Sequence, residues 1–289
     1  MFLQNKDRLI IKSENYKAVN YVKSYQNFQI LHYSTVDSTN QLARQFAEQG
    51  EPKELLVVAD QQTAGRGRDG KRWLSVPGEC LTFSLLLRPV NKNPEHCPQL
   101  ALIISLSLAQ AMEKLGFHPQ LKWPNDVYLN EKKIAGILLE NAVRSDRLQW
   151  IIAGVGVNLN VKKENFPQKL REIATSLFIE GEKEIATDLF LQEFLTIFSS
   201  WYCNWINNNK IQPLLKEYTK RSMVLGRLVT YEKQGNRYQA RAERIDENGG
   251  LWVIREEERY RLSWGEVSIA SHNETQTQLS FGSDGGETR

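Results

Sequence analysis

The order of segments in this chain predicts an α+β fold: helices mixed with short, largely antiparallel strands, followed by a small all-β unit. Three observations carry that prediction. Apolar residues recur at helical spacing in several stretches; four short strand-like runs between residues 120 and 161 are separated by turns alone; and after Met223 the pattern changes to short alternating segments. With 289 residues, 41% of them hydrophobic and 25% charged, the composition is that of a folded globular protein. That length can bury one large core and a smaller one beside it.

Gln29 to Tyr33 reads as a strand leading into Val36-Asp-Ser-Thr-Asn40, after which Leu42, Ala43, Phe46 and Ala47 repeat at helical spacing up to Gly50. Ser38 and Gln41 stand at capping-box spacing, and Gly50 suits a C′ stop. Leu55 to Ala59 is a buried strand, and a Gly/Arg-rich loop from Gln61 to Trp73 separates it from the next strand, Leu81 to Leu87. Leu100 to Leu115, apolar nearly all round, is a buried helix closed by Gly116. Gln120 to Trp123, Val127 to Leu129, Ile134 to Glu140 and Leu148 to Val161 form an antiparallel meander.

Helices are expected over Thr187 to Ile206 and Pro213 to Met223. The first carries Leu189, Phe190, Phe194, Ile197, Phe198 and Trp201 on a wide apolar face read as core. Arg227 to Glu232, Tyr238 to Ile245, Leu251 to Arg255 and Arg259 to Trp264 then make a small antiparallel barrel of about fifty residues. The polar tail from Ser271 is expected to be disordered. The expected division is an N-terminal extension over 1–28, a main domain over 29–222, the barrel over 223–270 and the tail over 271–289.

A net charge of +3 gives no electrostatic case for a dedicated nucleic-acid or membrane-surface binder, so an anion bound here is small and held locally. Cys80, Cys97 and Cys203 are odd in number, far apart and without CxxC spacing. They suggest neither a disulfide framework nor a zinc site and suit a reducing cytoplasm. The first thirty residues lack a signal-peptide core, and no apolar run is long enough to span a membrane.

Gly65-Arg-Gly-Arg-Asp-Gly70 matches GxGxxG, but a dinucleotide loop must open a helix, whereas Lys71 to Gly78 leads into another strand. What remains is a Gly-rich loop bearing Arg66, Arg68, Lys71 and Arg72. It reads either as an anion cradle or as a solvated, RGG-like segment. Lys122-Trp-Pro-Asn-Asp126 combines a lysine, an indole and two oxygen-bearing side chains at a strand end, though Asn125-Asp126 alone would also suit a plain turn. A hairpin return would bring Lys133 back beside that turn, and Gly136 would permit close approach of a ligand to the strand. Gly154-Val-Gly-Val-Asn158 ends a further apolar strand with a polar amide.

Taken in order, Asp37-Ser-Thr-Asn40, Gln62-Thr-Ala-Gly-Arg-Gly-Arg68, Lys122-Trp-Pro-Asn-Asp126, Lys133-Ile-Ala-Gly-Ile-Leu and Gly154-Val-Gly-Val-Asn158 resemble the biotin–protein ligases, and Gly265-Glu-Val-Ser-Ile269 is similar to that family's C-terminal module. The resemblance implies a mixed-sheet catalytic domain of the biotin–lipoate ligase, class II synthetase-like type, plus an SH3-like barrel. It implies that biotin and ATP give biotinyl-5′-adenylate, and that the acyl group passes to a lysine of a biotin carboxyl carrier domain. Two anions must then be held together, which calls for fixed cations and Mg²⁺.

By that resemblance Ser38, Thr39, Asn40 and Gln62 surround biotin, with Gly136 beside them, and Arg66, Gly67 and Arg68 close over its carboxylate as a mobile lid. Lys133 lies between carboxylate and α-phosphate. Lys122, Asn125, Trp73 and Asn158 contact the nucleotide, and Asp126 helps hold Mg²⁺. Lys133, Arg68 and Lys122 form the implied catalytic set, and no residue stands out as the base for transfer. About thirty residues before the first motif are too few for a DNA-binding unit, so the monofunctional type is expected, without specific DNA binding. Asp69 stands where many members have a basic or neutral residue, and Ala270 where one branch has arginine. An edge strand of the meander could pair with its twin in a homodimer. A lipoate–protein ligase and a non-catalytic biotin sensor or nucleic-acid binder are the alternatives.

Overall fold

The computed structural model describes residues 19–25, 28–89, 92–208, 211–263 and 267–269, and for 19–25 the backbone alone. Strands β1 (Val19–Tyr25), β2 (Phe28–Val36), β3 (Leu55–Gln62), β4 (Cys80–Leu87), β5 (Gln120–Lys122), β6 (Asp126–Leu129), β7 (Lys132–Arg144) and β8 (Arg147–Asn158) form one sheet, ordered β1-β2-β3-β4-β8-β7-β6-β5. Only β2 and β3 pair in parallel, because helix α1 (Thr39–Glu48) crosses over between them. The other pairings are antiparallel, and the expected meander is the run β5-β6-β7-β8. The sheet is therefore mixed and largely antiparallel. β1 lies within the stretch expected to be an extension, yet it pairs along β2 as an edge strand.

Side-chain alternation gives the sheet two faces. Leu31, Tyr33, Leu55, Val57, Ala59, Leu86 and Ile152 bury Leu42, Ala43, Phe46 and Ala47 of α1. Ile30, Leu56, Val58, Leu81, Phe83 and Leu85 belong to the core on the other face, together with α2 (Cys97–Glu113) and α4 (Thr187–Asn208). Helix α2 starts three residues before the expected Leu100 and is buried nearly throughout, Ser105 and Ser107 included. Their hydroxyls donate back to the carbonyls of Leu102 and Ile103, which is how a buried serine is satisfied inside a helix. On α4, Phe194, Phe198 and Tyr202 stack at 5.6 and 5.3 Å. Leu189, expected on that apolar face, is 67% exposed, because it lies one position before the stripe that Phe190 begins.

Helices α3 (Leu177–Gly181) and α5 (Gln212–Arg221) lead into a second, wholly antiparallel sheet. Its strands β9 (Leu228–Lys233), β10 (Asn236–Ile245), β11 (Leu251–Arg255), β12 (Glu258–Leu262) and β13 (Val267–Ile269) lie in the order β12-β11-β10-β9-β13, which is the small β unit expected. Gly265, Glu266, Ala270 and the tail lie outside the described residues. The two sheets share one continuous apolar core, which includes Val229, Leu251 and Val253. Polar ties reinforce it. Trp123 Nε1 donates to the Gly249 carbonyl at 2.9 Å, and Gln99 Nε2 donates to that of Glu247 at 2.6 Å. Trp123 is two residues from Asn125, so the second sheet braces the floor of the site described next.

Candidate active site

On the α1 face, β8 carries no side chain at two positions where it runs between β4 and β7. Ser84 on β4 and Leu138 on β7 both pair with Gly154 of β8; Thr82 and Gly136 pair in the same way with Gly156. A Cβ on Gly154 would lie 2.1 Å from Asn40 Oδ1, and one on Gly156 would lie 2.2 Å from the Trp73 ring. The two glycines lower the floor, so that the start of α1 and the indole can sit on bare backbone. The cavity forms there.

Ser38 occupies the N-cap position of α1, but its side chain makes no capping bond. The expected capping box is not formed, because Gln41 Oε1 accepts from Arg66 Nη2 instead. The first turn of the helix is used for the cavity: Ser38, Thr39 and Asn40 line it although each is at most 4% exposed. Gln62, at the end of β3, accepts through Oε1 from the Thr39 backbone N–H at 2.8 Å. Asn40 Nδ2 donates to Glu140 Oε2 at 2.9 Å, and Ser84 Oγ lies 2.6 Å from Asn40 Oδ1.

The Gly/Arg segment folds as a miniature hairpin. Gly67 and Trp73 donate to the carbonyls of Lys71 and Gly65, and Lys71 donates back to that of Arg68. Between them Asp69 and Gly70 take φ of +52° and +73°, the paired left-handed residues of a tight I′ turn, for which Asp-Gly is a favoured dipeptide. Asp69 therefore has a backbone reason for its place. The hairpin lays Arg66, Gly67, Arg68 and Trp73 along the cavity, with Arg68 Nη1 donating to Asn125 Oδ1 at 2.9 Å.

Asn125 follows Pro124, whose peptide bond with Trp123 is cis. Its Nδ2 donates to the Ile137 carbonyl at 2.7 Å, and its own carbonyl accepts from the Ile137 N–H. Both ends of the amide are thus committed, one to β7 and one to Arg68. The hairpin β6–β7 returns Lys133 to Asp126 as expected, with Nζ 2.6 Å from Oδ1 and the two side chains 34% and 15% exposed. Lys133 is also clamped through its backbone, its N–H donating to Ile173 and its carbonyl accepting from Thr175. Gly136 lies under this pair.

At the far end Asn158 is 5% exposed, its Nδ2 donating to the Thr175 carbonyl at 3.0 Å. Cys80 packs beside it, and burial pushes that thiol up to about 11, so it stays protonated at neutral pH. Phe166, Leu170, Ile173 and Ala174 make an apolar wall here, with Trp73 and Leu74 also lining the cavity. Trp73 Nε1 is buried without a hydrogen-bond partner among the described residues.

Every expected site residue lines this one cavity except Lys122. Lys122 pairs with Asp126 across β5 and β6 and shares that residue's face of the sheet, opposite Leu121 in the core. There its ammonium lies 5.5 Å over the Tyr128 ring, beyond the cavity. Sequence reasoning missed the wall from Phe166 to Ala174, whose irregular backbone has no periodicity to read. It also missed Ser84 and Glu140. The signal for Ser84 was present: Thr82 and Ser84 alternate on an otherwise apolar strand. Among the described residues no histidine lines the cavity, and Asp126 is its only carboxylate.

Residues 32–158 match the model of the biotin/lipoate A/B protein ligase family. The bifunctional ligase/repressor BirA of Bacillus spizizenii is 31% identical over 229 residues, which cover 79% of this chain and 70% of that protein. The biotin–[acetyl-CoA-carboxylase] ligase of Paracoccus denitrificans is 31% identical over 223 residues, covering 74% and 90%. Among solved structures, the biotin protein ligase of Aquifex aeolicus in complex with biotin and ATP superposes with a TM-score of 0.72 at 30% identity, covering 83% of this chain and 98% of that one.

Proposed function

Since the chain belongs to the biotin protein ligase family, it activates biotin with ATP and transfers it to a carrier protein, and we infer that both steps take place in the cavity beneath the Arg66–Arg72 hairpin. One observation carries the placement: five separate motifs, apart in sequence, supply side chains to a single cavity. The polar group at the start of α1 suits the ureido head of biotin, whose N–H and C=O groups must be paired once buried. Arg66 and Arg68 suit its carboxylate. The apolar wall, Trp73 and Asn158 suit the adenosine, and the Trp73 N–H is a buried donor that a substrate oxygen would satisfy.

In the first step a biotin carboxylate oxygen attacks the α-phosphorus of ATP and pyrophosphate departs. Lys133 and Arg68 come from opposite sides of the cavity, held by Asp126 and Asn125, so their charge is fixed before substrates arrive. Preorganised cations of this kind lower the repulsion of two anions without reorganising during reaction. Among the described residues no cluster of three or more His, Cys, Asp or Glu exists to cage a metal. One carboxylate, Asp126, is nevertheless what a Mg²⁺ carried on ATP phosphates needs, and the ion would neutralise phosphate charge there. In the second step the carrier lysine, as the free amine, attacks the acyl carbon and AMP departs.

Shielding by the hairpin protects an adenylate that water would hydrolyse. We assign the enzyme to the cytoplasm, where ATP is available and Cys80, Cys97 and Cys203 remain free. No helix among the described residues is long and apolar enough to cross a membrane. Pyrophosphate exchange into ATP, run with biotin, with lipoate and without acid, tests the reading. Exchange with biotin alone is expected; dependence on lipoate, or none with either acid, would overturn it.

A further inference from the structure

We propose that Ser84 and Glu140, neither of which lines the substrate cavity, are positioning residues that fix the hydrogen-bond polarity of its head-group end. The argument rests on the biotin reading above and on the count of protons in one buried chain. Asn40 Nδ2 faces two acceptors, Glu140 Oε2 at 2.9 Å and the Leu138 carbonyl at 3.5 Å, so the NH₂ end of the amide must lie there. Its Oδ1 therefore faces Ser84 Oγ, 2.6 Å away, and can only accept. Ser84 has a single proton and gives it to Asn40. Towards Thr39 Oγ1, 2.7 Å away, it must then accept.

Thr39 consequently spends its own proton on Ser84 rather than on Gln62 Oε1, which is farther at 3.1 Å and already accepts from the Thr39 backbone N–H. Two groups keep capacity for a ligand, and each has a fixed sense. Thr39 Oγ1 offers lone pairs only, and Gln62 Nε2 offers N–H only. A cyclic urea, with both N–H and C=O, matches both. A five-membered disulfide ring matches neither and would leave them unpaired.

The chain is anchored at its far end. Arg44 lies four residues after Asn40, one helical turn along the same face, and its Nη2 is 2.6 Å from the other Glu140 oxygen. Gly154 opens the sheet between Ser84 and Leu138 so that the Asn40 amide can bridge β4 to β7. The relay's bonds join the start of α1 to β3, β4 and β7, so its loss should act chiefly on the acid rather than on the nucleotide.

The test is calorimetric titration of the full chain with biotin and, separately, with ATP, for the wild type and for Ser84→Ala, Glu140→Ala and Glu140→Gln. Thermal unfolding checks that each is folded. Ser84→Ala and Glu140→Ala should each raise the biotin Kd at least tenfold and leave the ATP Kd within twofold. Glu140→Gln, which keeps an acceptor for Asn40, should recover most of the loss. In pyrophosphate exchange the same variants should raise KM for biotin with kcat nearly unchanged. A biotin Kd within twofold of wild type in both alanine variants, or equal loss of biotin and ATP binding, overturns the relay. A wild-type protein that does not bind biotin overturns the functional reading itself, which is a distinct outcome.

Discussion

Gly154→Ala is the smallest perturbation that reaches the head-group end of the cavity. The added methyl would stand 2.1 Å from Asn40 Oδ1, 2.8 Å from its Cγ and 3.0 Å from Nδ2, so the amide must leave its seat. Gly154 does not need a left-handed backbone, which makes the cost steric. Leaving that seat breaks the 2.6 Å contact with Ser84 and the 2.9 Å bond to Glu140. Buried groups left unpaired cost about 1–3 kcal/mol each, and two such groups suggest about 2–6 kcal/mol in all. If biotin requires Asn40 in place, that energy is missing from binding, which is about 30- to 20,000-fold in Kd at about 1.4 kcal/mol per decade. Titration with biotin reads it directly, with ATP as the internal control. A variant that binds biotin within threefold of wild type and unfolds at the same urea concentration would show that Asn40 is not wedged there, and the reasoning would be wrong.

Lys133→Ala should slow adenylation by at least about 100-fold while changing biotin affinity by less than about tenfold, because its charge matters most where the two anions meet; single-turnover kinetics beside calorimetry separates the two, and equal losses would make Lys133 an ordinary binding residue. Amide hydrogen exchange over Gly65 to Gly70 should slow when biotin and ATP are both bound, and identical rates with and without them would refute closure of the hairpin. The Cys80 thiol, held at about 11 chiefly by burial against an ordinary value of 9.0, contributes stability that is complete below pH 9 and lost as pH rises towards 11, since the folded state keeps a proton that the unfolded state has released. The urea midpoint should fall between pH 8.5 and pH 10.5, with a shallower fall in Cys80→Ala, and at pH 7.5 iodoacetamide should label exposed Cys203 well before Cys80.

The strands and helices of the main sheet could be read from the chain because each buries a face of its own period. Phe46 and Ala47 of α1 or Leu81, Phe83 and Leu85 of β4 show in sequence the alternation they obey in space. β1 lacked that signal: its apolar residues are interrupted by Asn, Lys and Ser, and it gains its place by pairing with β2 at an edge. The parallel pairing of β2 with β3 is likewise invisible locally, since it follows from the path of α1 and not from either strand's residues.

The site was legible for a different reason. Its motifs, from Asp37-Ser-Thr-Asn40 to Gly154-Val-Gly-Val-Asn158, resemble in their order those of the biotin–protein ligases. Gly154, Gly156 and the Asp69-Gly70 turn break local rules where a ligand or another backbone comes close. What the residues could not announce is which of them spend their hydrogen-bonding capacity on each other. Asn40 looks like a ligand contact from its place beside Thr39, yet its NH₂ faces Glu140 and Leu138 and its carbonyl faces Ser84. Lys122 looks like a phosphate contact from its motif and pairs with Asp126, yet its ammonium leans over the Tyr128 ring and not into the cavity. Whether Lys122 serves the nucleotide is therefore a question of reach. Lys122→Ala should weaken ATP binding if the side chain swings over the phosphates once they are bound, and an ATP Kd unchanged by that substitution would leave charge at the α-phosphate to Lys133 and Arg68 alone.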